Sequence, residues 1–204
     1  MEHNSEMELN ARIQWAAVYG GCFLLSCITI YTMRWAIRMT WLDALAYAVF
    51  FILFALTMHG FTLLGRKTGK RSLELSSRIY VIVLGILLLV IETDLVSGRF
   101  QFISHDSFAF YVIPFMIVPI LCAYILGPVA IGWTAYSMRE SYPAAKVVAF
   151  SAGIWFFYAV YYFGFIYLAD IEPPLFLGLF FTVPIPEALF VAASMLLFIQ
   201  ASKR

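Results

Sequence analysis

Apolar residues fall into six long runs along the chain, parted by short stretches that carry most of the charge. A helix needs about 20 apolar residues to cross the hydrocarbon of a bilayer. The pattern therefore predicts spans over residues 13–33, 41–64, 79–97, 108–138, 147–168 and 175–200. The fourth run carries Pro114, Pro119 and Pro128. Prolines kink membrane helices without having to end them, so this run is read as one broken span. The reading is an all-α, polytopic transmembrane helical bundle of about six spans, a single integral membrane domain over 1–204.

Composition sharpens this picture. The 204 residues are 63% hydrophobic and 12% charged, with a mean hydropathy of +0.89. An ordinary soluble domain is about one quarter charged, so a water-facing surface cannot be built from this chain. A soluble enzyme and a nucleic-acid binder are excluded, and the lipid bilayer is the expected surrounding. Disordered chains are poor in aromatics, whereas this one is 18% aromatic.

Charge placement predicts orientation. Arg12, Arg66, Lys67, Lys70, Arg71, Arg78, Arg139, Lys146, Lys203 and Arg204 share one side of a six-span chain, against Arg34, Arg38 and Arg99 on the other. Positive residues collect on the cytoplasmic side, so both termini are expected there. The acidic, polar opening over residues 1–10 is unlike a cleaved signal peptide, which makes the first run a span in its own right.

The acids mark candidate chemistry. Glu187 is the deepest, about twelve residues into the last predicted span, or roughly 18 Å along a helix. A carboxyl at that depth is expensive in lipid and is expected to face the bundle interior. An apolar pocket favours the uncharged acid, a proton donor held ready. The structural alternative is a hydrogen bond to a Tyr or Thr that fixes helix packing. Glu92 and Asp94 stand two residues apart, so they point to different faces of a helix. Glu92 is the deeper candidate, and Asp94 suits either the site or the interface. Asp170 and Glu172 precede two prolines and read as a solvated turn.

Cys22, Cys27 and Cys122 lie within apolar runs and read as small buried hydrophobes. His59 has no His or Cys partner at metal spacing on its own helix, and no metal site is expected. His105 and Asp106 are placed in an outer loop, as a cap for the helix that follows. The fifth run is crowded with aromatics, among them Trp155, Tyr158 and Tyr162. With Phe190 they are candidates to line a tunnel for a long polyene, where π faces stabilise a cation. Packing against lipid explains the same residues equally well.

Two stretches share one layout. The first runs from Asp94 through Gly98 and Phe102 to Pro114 and Pro119, the second from Tyr162 through Gly164 and Tyr167 to Pro184, Pro186, Glu187 and Phe190. Each sets a glycine among aromatics before a loop and a proline-marked return after it. The layout predicts a duplicated helical hairpin with a pocket between the copies.

In these motifs the chain resembles the membrane-integral lycopene cyclases of bacteria, archaea and fungi, over roughly residues 80–200. Residues 184–190 are similar to that family's Pro-x-Glu-Glu helix, and 94–102 to its Asp-containing span end and aromatic loop entry. The chain departs from the family in having Ala188 where a second Glu usually stands. It has no Glu after Pro119 and no counterpart of Asp94 in the second copy. The stretch from Glu92 to Phe102 resembles the carotenoid hydratases about as well. The resemblance implies an enzyme acting on a hydrophobic isoprenoid or polyene without a cofactor. In such an enzyme an acid protonates a terminal double bond, and ring closure and proton loss follow. It implies Glu187 as the donor and Glu92 or Asp94 as the second acid or base. No Gly-x-Gly-x-x-Gly fingerprint is present, which agrees with redox-neutral chemistry. Two other classes fit the buried acids: a small proton-coupled transporter or binding protein, with a homo-oligomer supplying its missing half, and a scaffold subunit.

Overall fold

The computed structural model describes residues 2–36, 40–97, 109–168 and 185–204, with side chains at 6–29, 45, 48–86, 89, 122–161 and 185–204. The described residues form six helices and no strand: α1 (Glu2–Ala36), α2 (Thr40–Thr68), α3 (Arg71–Ser97), α4 (Ala109–Tyr136), α5 (Ala144–Leu168) and α6 (Ile185–Ser202). Among the described residues four stretches are long and apolar enough to cross a membrane: Glu6–Thr29, Ala48–Thr68, Ala144–Tyr161 and Ile185–Ser202. The chain is thus an all-helical protein of membrane composition. Each helix packs on its neighbour in sequence, α6 packs back on α1, and α2 also meets α6. The bundle is a closed ring with a filled middle.

The ring is greasy on both faces. Phe23, Phe54, Phe61, Tyr80, Trp155, Phe190 and Phe198 fill the inside, while Trp133 is 80% and Phe157 73% exposed on the outside. Only lipid makes such an exterior cheap. Since lipid tails are as apolar as the core, small residues rather than hydrophobic burial bring the helices together. A β-carbon at Gly132 would lie 2.6 Å from the Ala152 side chain, so α4 and α5 approach at that glycine.

Two predictions need correction. The proline-rich run is not broken: α4 is one helix through Pro114, Pro119 and Pro128. A proline removes one N–H and crowds the carbonyl four residues earlier, and α4 continues as a helix between α3 and α5, which both pack on it. The first helix is also longer than its apolar run, for α1 continues through the polar opening. Leu9 there packs on the core, Arg12 pairs with Glu8 at 2.6 Å, and Asn10 accepts a 2.6 Å bond from the Lys67 Nζ.

The ends carrying the positive residues meet. α2 turns into α3 at Gly69, which has φ +66°, the left-handed position that ends many helices. Lys67 donates to Asn10 and, at 2.6 Å, to the Ala201 carbonyl. The Gln200 side chain accepts from the Ala144 N–H at 3.1 Å, and Arg204 reaches the Ser141 carbonyl. The extension before the first span, the α2–α3 turn, the α4–α5 turn and the C-terminal end therefore share one end of the bundle.

Candidate functional site

The described helix α6 begins at Ile185, with Pro186 and Glu187 in its first turn. Proline suits that turn because its missing N–H has no helical partner to serve, and an acid there meets the positive end of the helix dipole. Residues 175–184, which the sequence assigns to the same span, lie outside the described residues. Glu187 stands about 22 Å along the axis from the Ser202 end, a distance that keeps it within a bilayer-thick bundle.

The Glu187 carboxyl accepts a hydrogen bond from the Tyr124 hydroxyl, 3.0 Å to Oε1. Tyr124 comes from α4, so the bond ties α4 to α6. Cys27 of α1 lies within electrostatic reach of the same carboxyl. Around the pair the aromatics form a continuous cluster. The Tyr124 ring meets Trp155 of α5 edge-on at 5.3 Å and lies 6.3 Å from Tyr80 of α3. Trp155 stacks on Phe54 of α2 at 5.9 Å and meets Phe190 of α6 at 6.2 Å. Phe54 in turn stacks on Phe23 of α1 at 5.1 Å. Every helix of the ring supplies a side chain to this cluster, with the carboxyl at its edge.

Of the candidates read from the sequence, the structure brings together Glu187, Trp155 and Phe190. Tyr158 is half-buried and sits instead on an open, lipid-side concavity of α5 with Ile154, Phe157, Val160 and Tyr161. The aromatics of α5 thus divide, Trp155 pointing inward and Phe157 outward, because a two-residue step on a helix lands on nearly the opposite face. Glu92 and Asp94 lie on α3 and Tyr162 on α5, with side chains outside the described residues. His105, Asp106, Asp170 and Glu172 lie outside them altogether. His59 is exposed on α2. Among the described residues no three His, Cys, Asp or Glu side chains converge to hold a metal ion.

Tyr124, Tyr80, Phe54 and Phe23 are the members that sequence reasoning missed. The one local signal is Pro128, four residues after Tyr124, which leaves the Tyr124 carbonyl without its helical donor. Compared with protein-family models, curated proteins and solved structures, the chain matches none. The likeness to the lycopene cyclases rests on the short motifs alone.

Proposed function

We propose that this chain is an integral-membrane enzyme that modifies an isoprenoid or polyene by acid-initiated, redox-neutral chemistry, in the manner of the lycopene cyclases it resembles. The observation that carries the reading is the Tyr124–Glu187 pair at the edge of an aromatic cluster drawn from all six helices. The Tyr124 hydroxyl donates to one carboxyl oxygen and fixes the orientation of the group that gives up its proton. Transfer of that proton to a terminal double bond makes a C–H bond and leaves the positive charge on carbon. The faces of Trp155, Phe190 and Phe54 stabilise that charge as they do other cations. Attack by a neighbouring double bond closes the ring, the cation gives a proton to the carboxylate of Glu92 or Asp94, and return of that proton to the Glu187 carboxylate completes the cycle. Glu92 and Asp94 are assigned as the second acid or base, with Tyr162 lining the path of the chain; Tyr158, on the outer concavity of α5, is left out of that path. A hydratase would capture the same cation with water.

The finer architecture belongs to the same reading: six spans, both termini in the cytoplasm, and a duplicated hairpin of α3–α4 and α5–α6. Tyr124 and Glu187 stand on the returning helices of the two units, where a repeat fold places its site.

The test is expression in a lycopene-producing host with analysis of the pigments. A cyclised or hydrated product is expected, and Glu187→Gln is expected to cut its yield by at least about 100-fold, the scale of general acid catalysis. Unchanged lycopene with the wild-type chain overturns the carotenoid reading. Full conversion by Glu187→Gln removes the role given to Glu187.

A further inference from the structure

His59 is a polar ring that the bundle leaves on its outside. It lies roughly 13 Å inside the Thr68 end of α2, within the stretch Ala48–Thr68 that is long and apolar enough to cross a membrane, and it is exposed. Among the described residues nothing hydrogen-bonds to it. An ionisable side chain within a span is rare and by default marks a site. Arg and Lys reach the polar interface from inside the hydrocarbon on their long stems. An imidazole is too short to do so, and its N–H must be met where it stands.

Three helices bring an arginine towards this ring. Arg12 of α1, Arg66 of α2 and Arg78 of α3 all lie within its electrostatic reach. Arg78 shares its level, because the adjacent Ser77 hydroxyl donates to the Met58 carbonyl at 2.6 Å. Arg12 is matched by Glu8. Arg66 and Arg78 share the Glu74 carboxylate, and Arg71 acts on that carboxylate too, so one acid faces three cations. The Arg66 and Arg78 side chains stay half-exposed. Away from the charged end, Ile52 and Leu56 of α2 and Ile82 of α3 are exposed beyond His59. The outer face of α2 and α3 thus passes from an arginine cluster, through one imidazole, to bare aliphatic side chains.

We propose that this face seats one anionic phospholipid from the leaflet at the basic end, with its phosphate held by Arg66, Arg78 and His59 and an acyl chain lying along Leu56 and Ile82. The phosphate oxygens accept from two guanidiniums, whose forks suit that geometry, and from the imidazole N–H. Basic pockets between membrane helices hold anionic headgroups in this way. A zwitterionic headgroup fits less well, because its own ammonium meets the same arginines. A soluble anion uses the arginines and gains nothing from the aliphatic side chains beyond His59. The inference stands apart from the reading of Glu187 and holds whether or not that carboxyl is catalytic.

The test is native mass spectrometry of the full chain in detergent, titrated with phosphatidylglycerol or with phosphatidylcholine of identical acyl chains. Phosphatidylglycerol is expected to bind as a single copy about tenfold more tightly, the worth of roughly one charge-assisted hydrogen bond. Arg78→Gln is expected to erase most of that preference. His59→Phe is expected to weaken phosphatidylglycerol about threefold or more, the worth of one neutral hydrogen bond. Lys146→Gln removes an exposed charge at the same end of the bundle, on α5, and is expected to change binding by less than about twofold, as a charge outside the site should. Equal binding of the two lipids by the wild type overturns the proposal, and decides the matter even where a variant does not fold. Equal losses in Arg78→Gln and Lys146→Gln overturn it as well, since they would leave only a diffuse attraction of the basic end for anionic lipid. So does unchanged binding in His59→Phe. Displacement of the lipid by an equal concentration of glycerol 3-phosphate, a headgroup without acyl chains, would make the site one for soluble anions and also ends the proposal.

Discussion

Glu74 and Glu187 show one side chain in two solvents. Glu74 begins α3 at the polar end of the bundle, where Arg66 Nε donates to it at 2.9 Å and Arg78 pairs with it one turn on. The Arg66 hydrogen bond, helped by the charges of Arg78, Arg66 and Arg71, holds its carboxyl below the ordinary carboxylate range against a smaller opposing effect of burial. A lowered folded value means that the ionised group favours the native state above the ordinary range, and that this contribution fades as acid titrates it through the lowered value. Thermal melts in detergent from about pH 7 to about pH 3 should fall more steeply for wild type than for Glu74→Gln. Parallel curves would show the cluster to be thermodynamically silent, as many surface ion pairs are. Glu187 has a tyrosine in place of arginines, and it could be singled out from the sequence because a lone acid in an apolar run stands out. Tyr124 and Tyr80 could not. The chain has twelve tyrosines, and nothing local separates one that packs from one that meets a buried carboxyl.

At the scale of the helix, apolar runs between charged punctuation located the elements to within a few residues at most ends. Where the runs misled, the neighbours explain why. The run of prolines suggests a break, but α4 stays helical between α3 and α5, and the polar opening joins α1, where Leu9, Asn10 and Arg12 all find partners. Which glycines matter is also a question of neighbours. A β-carbon at Gly60 would stand 2.6 Å from that of Ala16 on α1 and 2.7 Å from Phe198 on α6, while one at Gly85 meets nothing within 4 Å among the described residues. Gly60→Ala is therefore expected to destabilise the bundle by about 1–3 kcal/mol, the usual penalty for overpacking. Gly85→Ala should be neutral or mildly stabilising through its better helix propensity. Thermal unfolding of the two variants side by side checks this, and equal melting temperatures would remove the close packing of α1, α2 and α6 at Gly60.

At the scale of the molecule, the contacts of Lys67, Gln200 and Arg204 gather four charge-bearing segments at one end. On the six-span reading proposed above, the positive-inside rule orients that end towards the cytoplasm. Reporter fusions at the N- and C-termini are both expected to read as cytoplasmic, and an insertion within 98–108 as external. Termini on opposite faces would require an odd number of crossings and would end the six-span reading. The sequence by itself determined the solvent, the helical class and the lone deep acid, because transfer free energies and hydrophobic run length act locally and along the chain. Only the tertiary structure decided that Glu187 meets Tyr124, that Trp155 turns inward while Phe157 is exposed on the outside, and that the Tyr80 hydroxyl is sealed without a partner among the described residues. In a chain apolar on nearly every face, periodicity no longer distinguishes inside from outside. Which surfaces touch is set by small residues and steric fit between segments far apart in sequence.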